Sequence, residues 1–289
     1  MTVATAPVVF EYSKWPKVQV LACPVCGTEN GPGRAAKDRF DFDVFVQDCP
    51  CGFRYLTEQL TRAGYTAFYD YAYRPLVWQL TKPEAGRYDA AHDLAEIRHT
   101  QALHAEVMAK WFIGKFTEPP AKKHLPILDA GGGPGVVGQI LAHRFGFTFS
   151  VSLDPAGHEL PKQGRIPGFL EDSIPGHYGA IVCHETIDHV TDPLAALRNM
   201  RACTEGWMLI SIVDGPARRR HLRAVPRLKI PGTVYTIPEL NGNPDADLKM
   251  DHPLYWDDQS IRLALYKTGW TVQREIRAPL TLHRFYLAT

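Results

Sequence analysis

The stretch that most limits what this chain can fold into runs from Ile127 to Gly138. Pro126 opens a short apolar run, Ile127-Leu128-Asp129-Ala130, which reads as a buried strand. Glycines follow at alternate positions, Gly131, Gly133 and Gly135. Val136 to Arg144 then carries apolar residues at the spacing of an amphipathic helix. Strand, glycine turn and helix form the opening βα unit of a nucleotide-binding sheet. A side chain in the turn would keep a ligand away from the backbone, and some of these positions call for positive φ. The spacing is not the G-x-G-x-x-G of a dinucleotide site. It is not a phosphate-binding P-loop either, because no Gly-Lys-Ser/Thr follows.

An acidic residue, any residue, then G-x-G-x-G resembles motif I of the class I S-adenosylmethionine-dependent methyltransferases. That resemblance implies an α/β fold: a Rossmann-like, seven-stranded, mostly parallel sheet. It assigns Asp129, Gly131, Gly133 and Gly135 to the cofactor. Downstream residues extend it. A strand over 145–153 ends at Asp154, about 20 residues beyond the glycines, where a carboxylate suits two ribose hydroxyls. Gly168 to Pro175 resembles the segment whose acidic residue accepts from the adenine amino group. Asp172 is the first candidate there and Glu171 the second. An apolar strand over 180–183 leads into His184-Glu185-Thr186-Ile187-Asp188-His189-Val190-Thr191-Asp192-Pro193, similar to the family's Leu-Glu-His signature. The resemblance places His184 at the methionine part of the cofactor. Asp192 and Pro193 are explained as the cap and first turn of a helix to Ala202. Trp207 to Val213 reads as a further strand, 259–268 as a helix, and 270–276 and 282–287 as the last strands.

Two cysteine pairs precede this domain, Cys23 with Cys26 and Cys49 with Cys51. Two knuckles separated by a β segment over 40–46 resemble a zinc ribbon with a structural Zn2+. The second pair is C-x-C where the usual pattern has C-x-x-C, so Asp48 is an alternative ligand. A module of residues 1–60 is too small for much of a core, and zinc would contribute on the order of 10 kcal/mol to its folding. Clustered rather than dispersed cysteines fit a reducing, cytoplasmic setting.

Residues 61–120 read as a helical, tyrosine-rich connector, with a long helix over 89–113, and residues 121–289 as the methyltransferase domain. In the family such a connector lies over the cofactor. The resemblance puts a tyrosine hydroxyl on the methionine carboxylate, Tyr73 or Tyr69, with Arg74 as ion-pair partner.

The chain has 289 residues with 45% hydrophobic and 22% charged side chains, ordinary for a globular protein. A formal net charge of +1 argues against nucleic acid as the partner. No apolar run approaches the roughly 18 residues of a membrane span. The basic cluster Arg218-Arg219-Arg220-His221 is either a solvated face or a grip on an anionic, nucleotide-linked or phosphorylated substrate. Cysteine module, tyrosine connector and compact domain together resemble bacterial enzymes that methylate sugars and polysaccharide precursors. A small-molecule natural-product methyltransferase is the alternative. An RNA-binding methyltransferase and a non-catalytic scaffold are the rivals from other classes. If the acceptor is a hydroxyl, a base must take its proton. His252, Glu185 and His189 are the candidates, with Asp188 and Asp214 behind them.

Overall fold

The computed structural model describes residues 9–31, 33–112, 122–155, 164–213, 250, 252–277 and 283–289. At the N-terminus, β1 (Lys17–Gln19) pairs antiparallel with β5 (Glu58–Leu60). Between them lies an antiparallel meander of β2 (Arg34–Lys37), β3 (Asp43–Asp48) and β4 (Arg54–Leu56). The single strand expected over 40–46 is instead a turn followed by a strand. Asp38 Oδ1 accepts from the Phe40 and Phe42 amides at 2.8 and 2.9 Å, and Asp41 stands at φ 65°. An aspartate that captures local amides competes with strand pairing. The fourth strand of this sheet comes from far along the chain: Leu254–Tyr255 pairs antiparallel with β4.

The connector begins with α1 (Arg62–Ala67), capped by the Thr61 hydroxyl, which accepts from the Gly64 amide. One π-helical turn, Phe68–Ala72, follows before α2 (Tyr73–Thr81). A long helix, α3 (Ala90–Phe112), matches the 3.6-residue periodicity of that segment.

The large sheet contains β6 (Ile127–Ala130), β7 (Ser150–Asp154), β8 (Arg165–Pro167), β9 (Tyr178–Cys183), β10 (Thr204–Val213), β12 (Val272–Arg277) and β13 (His283–Ala288). The pair Leu254–Tyr255 is thus β11. The spatial order is β12-β13-β10-β9-β6-β7-β8. Only β13 runs against its neighbours, β10 and β12; the other pairings are parallel. This is the seven-stranded, mostly parallel α/β sheet expected from the sequence. β6 and β9 are buried at every position, as parallel strands covered on both faces must be, and both are largely apolar, with Asp129 the charged exception in β6.

Helices α4 (Val136–Phe145), α5 (Pro193–Ala202) and α6 (Asp258–Lys267) cover the sheet. Asp192 caps α5 by accepting from the Ala195 amide at 2.9 Å, as the sequence reading holds. One boundary differs. The run 145–153 was expected to be strand throughout, but Phe145 closes α4, Gly146 at φ 77° terminates it, and β7 starts at Ser150. A glycine in the left-handed region stops a helix after its last apolar position.

The cysteine module is not a separate bead. Phe53 and Tyr55 share one apolar cluster with Leu128, Ile181, Trp256 and Ile261 of the large domain. The Phe53 and Trp256 rings lie 4.5 Å apart, and Lys267 Nζ on α6 donates to the Val25 carbonyl at 2.8 Å. Burying side chains of this size contributes roughly 1.5–3 kcal/mol each. No helix among the described residues is long and apolar enough to cross a membrane.

Candidate functional site

The glycine turn sits at the C-terminal edge of β6, where open α/β sheets bind ligands. Gly131, Gly133 and Gly135 all have positive φ, at 72°, 52° and 71°. A Cβ on Gly131 would overlap the Thr186 side chain, so this position needs both the conformation and the missing atom. Asp129 is buried beneath the turn, and its Oδ2 accepts from the Gly138 amide at 2.8 Å. A Cβ on Gly138 would come within 2.7 Å of the Asp129 Cβ, so carboxylate and glycines fit as one piece. Burial, opposed by the Gly138 hydrogen bond and reinforced by nearby Asp154, pushes the Asp129 carboxyl up to about 7. Asp154 ends β7 beside the turn, and its Oδ2 accepts from the Gly133 amide at 2.9 Å. Gln101 on α3, not anticipated from the sequence, reaches the Gly132 carbonyl with its Nε2 at 3.5 Å. The connector helix therefore lies over the turn.

The other candidates for the cofactor are less directly placed. Asp172 is half-exposed and paired with Arg62 at 2.9 Å, an arginine that also lies 4.5 Å over the Phe169 ring. Glu171 accepts from the amide and hydroxyl of Thr191 at 2.8 and 2.9 Å. Tyr73 packs edge-on to Tyr69, with ring centres 5.3 Å apart. Arg74 does not wait for a ligand carboxylate: its Nε donates to Asp93 Oδ2 at 2.8 Å, and Tyr88 donates to the same atom at 3.0 Å. Asp93 is buried, and the guanidinium balances it.

Past the end of β9 the chain forms a histidine-rich pocket. His184 is almost fully buried, and its Nδ1 is 2.7 Å from the Ser211 hydroxyl on β10. Its Nε2 is 3.0 Å from Nδ1 of His104 on α3. Glu185 takes φ 52°, unusual for a residue with a Cβ, and its amide donates to Ser211 Oγ at 3.2 Å. Glu185 Oε1 lies 2.5 Å from His283 Nε2 at the start of β13, and Oε2 lies 3.8 Å from His184 and 4.0 Å from His104. Burial and the neighbouring imidazoles, against the pull of Glu185, lower His184 to about 4. His104 is lowered as well, by burial first and by His283. Burial alone would raise Glu185, but His283, His184 and His104 hold it well below the usual carboxylate range.

A second cluster is centred on Asp188. Its Oδ2 bonds to His252 Nδ1, and its Oδ1 is buried with no hydrogen-bond partner among the described residues. The His252 and His189 rings are 3.9 Å apart, and Tyr69 pairs with His189 Nδ1 at 2.8 Å. Burial would raise Asp188, but His252 and His189 hold it far below the usual range. Thr186 ties this cluster to the glycine turn, because its hydroxyl donates to Gly131 O at 3.4 Å and the His189 amide donates to Thr186 O at 2.9 Å. The structure thus brings together His252, His189 and Asp188, and separately His184 and Glu185. Asp214 and the basic cluster within 217–249 lie outside the described residues.

In the N-terminal module the sulfurs of Cys23, Cys26, Cys49 and Cys51 lie within 4.8 Å of one another. Cys23 and Cys51 are 3.7 Å apart, and Cys26 and Cys49 3.4 Å. Four thiolates about 2.3 Å from a tetrahedral zinc would stand about 3.8 Å apart, so the set fits that ion with little movement. Burial opposes ionisation of Cys26, but the Thr28 hydroxyl and amide and the neighbouring thiols bring it down to about 6. Asp48 is taken up by Arg54, whose Nε and Nη2 donate to it at 2.5 and 3.1 Å, and the four cysteines form the cluster.

His104 and His283 were not singled out from the sequence. His104 falls on the apolar stripe of α3, where a histidine reads as packing, and nothing local marks His283.

A family described as a methyltransferase domain matches residues 79–275. No curated protein matches the sequence. Among solved structures, the magnesium protoporphyrin IX methyltransferase ChlM from Synechocystis PCC 6803, with bound SAH, is similar at 14% identity and TM-score 0.47. That match covers 79% of this chain and 99% of that one. CalO1, a methyltransferase in calicheamicin biosynthesis in its SAH-bound form, is similar at 14% identity and TM-score 0.47, covering 84% of this chain and 79% of that one.

Proposed function

The chain belongs to the methyltransferase-domain family, and we propose that it transfers the methyl group of S-adenosylmethionine to a hydroxyl oxygen of a sugar or polysaccharide precursor. Methyl transfer from S-adenosylmethionine follows from that membership; the oxygen and the sugar are our reading. The observation that carries the oxygen is the His252–Asp188 pair, set against His189 and joined through Thr186 to the glycine turn. A neutral imidazole backed by a carboxylate is suited to take the proton of an attacking hydroxyl. A sugar presents hydroxyls, and the surrounding Tyr69, His189 and His252 offer polar tips to bind them. The sequence resemblance to sugar-methylating enzymes supports the same acceptor.

The turn fits the cofactor on its own chemistry. Three positive-φ glycines place no Cβ at the turn to hold a ligand off the backbone, and the Asp154 carboxylate beside them suits a diol. Bound S-adenosylmethionine supplies an electrophilic methyl carbon on a sulfonium. The chain supplies the remainder: Gly131, Gly133 and Gly135 with Asp154 hold the cofactor, and the backbone at His184 lines its methionine part. Tyr73, Asp129 and Asp172 support that shell, His189 and Asp188 orient His252, and His252 receives the proton. Alignment and exclusion of water account for most of the acceleration in such a transfer. We further assign a structural Zn2+ to Cys23, Cys26, Cys49 and Cys51 on the fit of their sulfurs.

The test is a methyl-transfer assay with labelled cofactor over a panel of nucleotide sugars and of phenolic natural-product acceptors. Methylation of a sugar hydroxyl, falling roughly 10²–10⁴-fold in kcat in His252→Ala, is expected. Transfer only to the phenols would move the substrate to natural products, and transfer to nitrogen or carbon unaffected by His252→Ala would remove the base assignment.

A further inference from the structure

Methyl transfer to a hydroxyl uses one base, and the Asp188–His252 pair provides it. The histidine pocket beyond β9 is left over. Its inward atoms are His104 Nδ1, His184 Nε2 and a carboxylate oxygen of Glu185, all within 4.8 Å of one another. We propose that His104, His184 and Glu185 form a binding site for a divalent transition-metal ion such as Zn2+ or Co2+, separate from the cysteine cluster and open to solvent on one side.

Four observations carry this. First, the ligand types and their number match the two-imidazole, one-carboxylate set that leaves coordination positions free for water or substrate. Second, the spacings of 3.0, 3.8 and 4.0 Å bracket the roughly 3.3 Å between ligands bound about 2.0–2.1 Å from a tetrahedral ion. Third, two of the three ligands are held from behind: Ser211 Oγ lies 2.7 Å from the outer nitrogen of His184, and His283 lies 2.5 Å from the outer oxygen of Glu185. Outer partners of this kind fix the direction in which a ligand presents its lone pair. Fourth, exposure is graded. His184 is 6% exposed, while His104 and Glu185 are 29% and 39% exposed, so the group is open to solvent from the His104 and Glu185 side. The left-handed backbone at Glu185 turns its carboxylate back over His184 and is a conformation that a residue with a Cβ adopts at a cost.

The site lies on the cofactor side of the domain. His104 is one helical turn along α3 from Gln101, which contacts the glycine turn, and His184 precedes Thr186, which also contacts it. If the reading as a hydroxyl methyltransferase is right, the free coordination positions would take an oxygen of the acceptor. That step rests on the proposed function; the metal site does not.

The experiment uses the full chain, stripped of metal and titrated with Co2+ while absorption is recorded and bound metal is counted by elemental analysis. We expect two equivalents in the wild type: one with intense sulfur-to-cobalt charge transfer from the cysteine cluster, one with only weak d–d bands. His104→Ala and Glu185→Gln should each lose the second equivalent, or weaken it at least tenfold, with the charge-transfer band intact as internal proof of folding. A wild type that binds only the sulfur-ligated ion, or variants that keep both equivalents at unchanged affinity, would overturn the site. A parallel titration with S-adenosylhomocysteine separates the two claims. Cofactor binding without the second metal leaves methyl transfer standing, and the second metal without cofactor binding leaves the metal site standing.

Discussion

Two aspartates at neighbouring strand ends show how position decides a residue's work. Asp154 is partly exposed at the edge of the glycine turn, where its carboxylate meets the Gly133 amide and suits the proposed ribose contact. Asp154→Ala should weaken S-adenosylhomocysteine binding by about 2 kcal/mol, roughly 30-fold, as loss of a charged hydrogen bond does. Calorimetry checks this, and unchanged affinity would refute the ribose assignment. Asp129 is sealed below the turn, and its carboxyl is raised from its ordinary 3.8 to about 7. Between those values the folded state holds a proton that the unfolded state has released. Its contribution to stability is therefore full below about pH 4 and is lost as pH rises through about 7. Asparagine keeps an acceptor for the Gly138 amide without the titration. Asp129→Asn should thus gain on the wild type as pH rises from about 5 to about 8, read as the difference in urea midpoint at each pH. A difference that stays flat with pH would show that the carboxyl is not raised.

At the scale of elements, the glycine turn, α3 and the segment after β9 form one device. Thr186 fills the space over Gly131, and Gln101 reaches Gly132 from α3. Gly131→Ala should abolish cofactor binding, because both φ and the Thr186 contact forbid the methyl group, while α4 and β6 persist. Far-ultraviolet circular dichroism alongside calorimetry separates a broken turn from an unfolded domain, and near-normal affinity would contradict this view of the turn. The device was only partly legible in the sequence. Local chemistry was: G-x-G-x-G, Asp154, and Asp192-Pro193 each announce their structure within a few residues. Pairing over long separations was not. Nothing around His283 points to Glu185, and nothing in α3 distinguishes His104 from a packing residue, because those contacts exist only after the sheet is ordered. Phe145 to Leu153 reads as one strand in the sequence because a short apolar run does not show where a helix ends; in the fold Gly146 ends α4 and β7 begins at Ser150.

Across the whole molecule, the cysteine module and the large domain share a sheet and a core. Residues 254–255 complete the N-terminal sheet directly after His252, and Trp256 then packs on Phe53. The module thereby fixes the strand that follows the proposed base by two residues. Trp256→Ala should cost about 3–5 kcal/mol and lower the thermal midpoint of the whole chain in one transition. Cys26→Ser should release zinc, by elemental analysis, and reduce methyl transfer although the thiol is not in the cleft; full zinc content would disprove the ligand set. The central claim is that the glycine turn with Asp154 is a working S-adenosylmethionine site. Calorimetric titration of the full chain with S-adenosylhomocysteine tests it most directly. We predict one site per chain with Kd on the order of micromolar, about −8 kcal/mol, weakened in Asp154→Ala and lost in Gly131→Ala. No heat of binding with the wild-type chain, or equal binding by all three proteins, would contradict it.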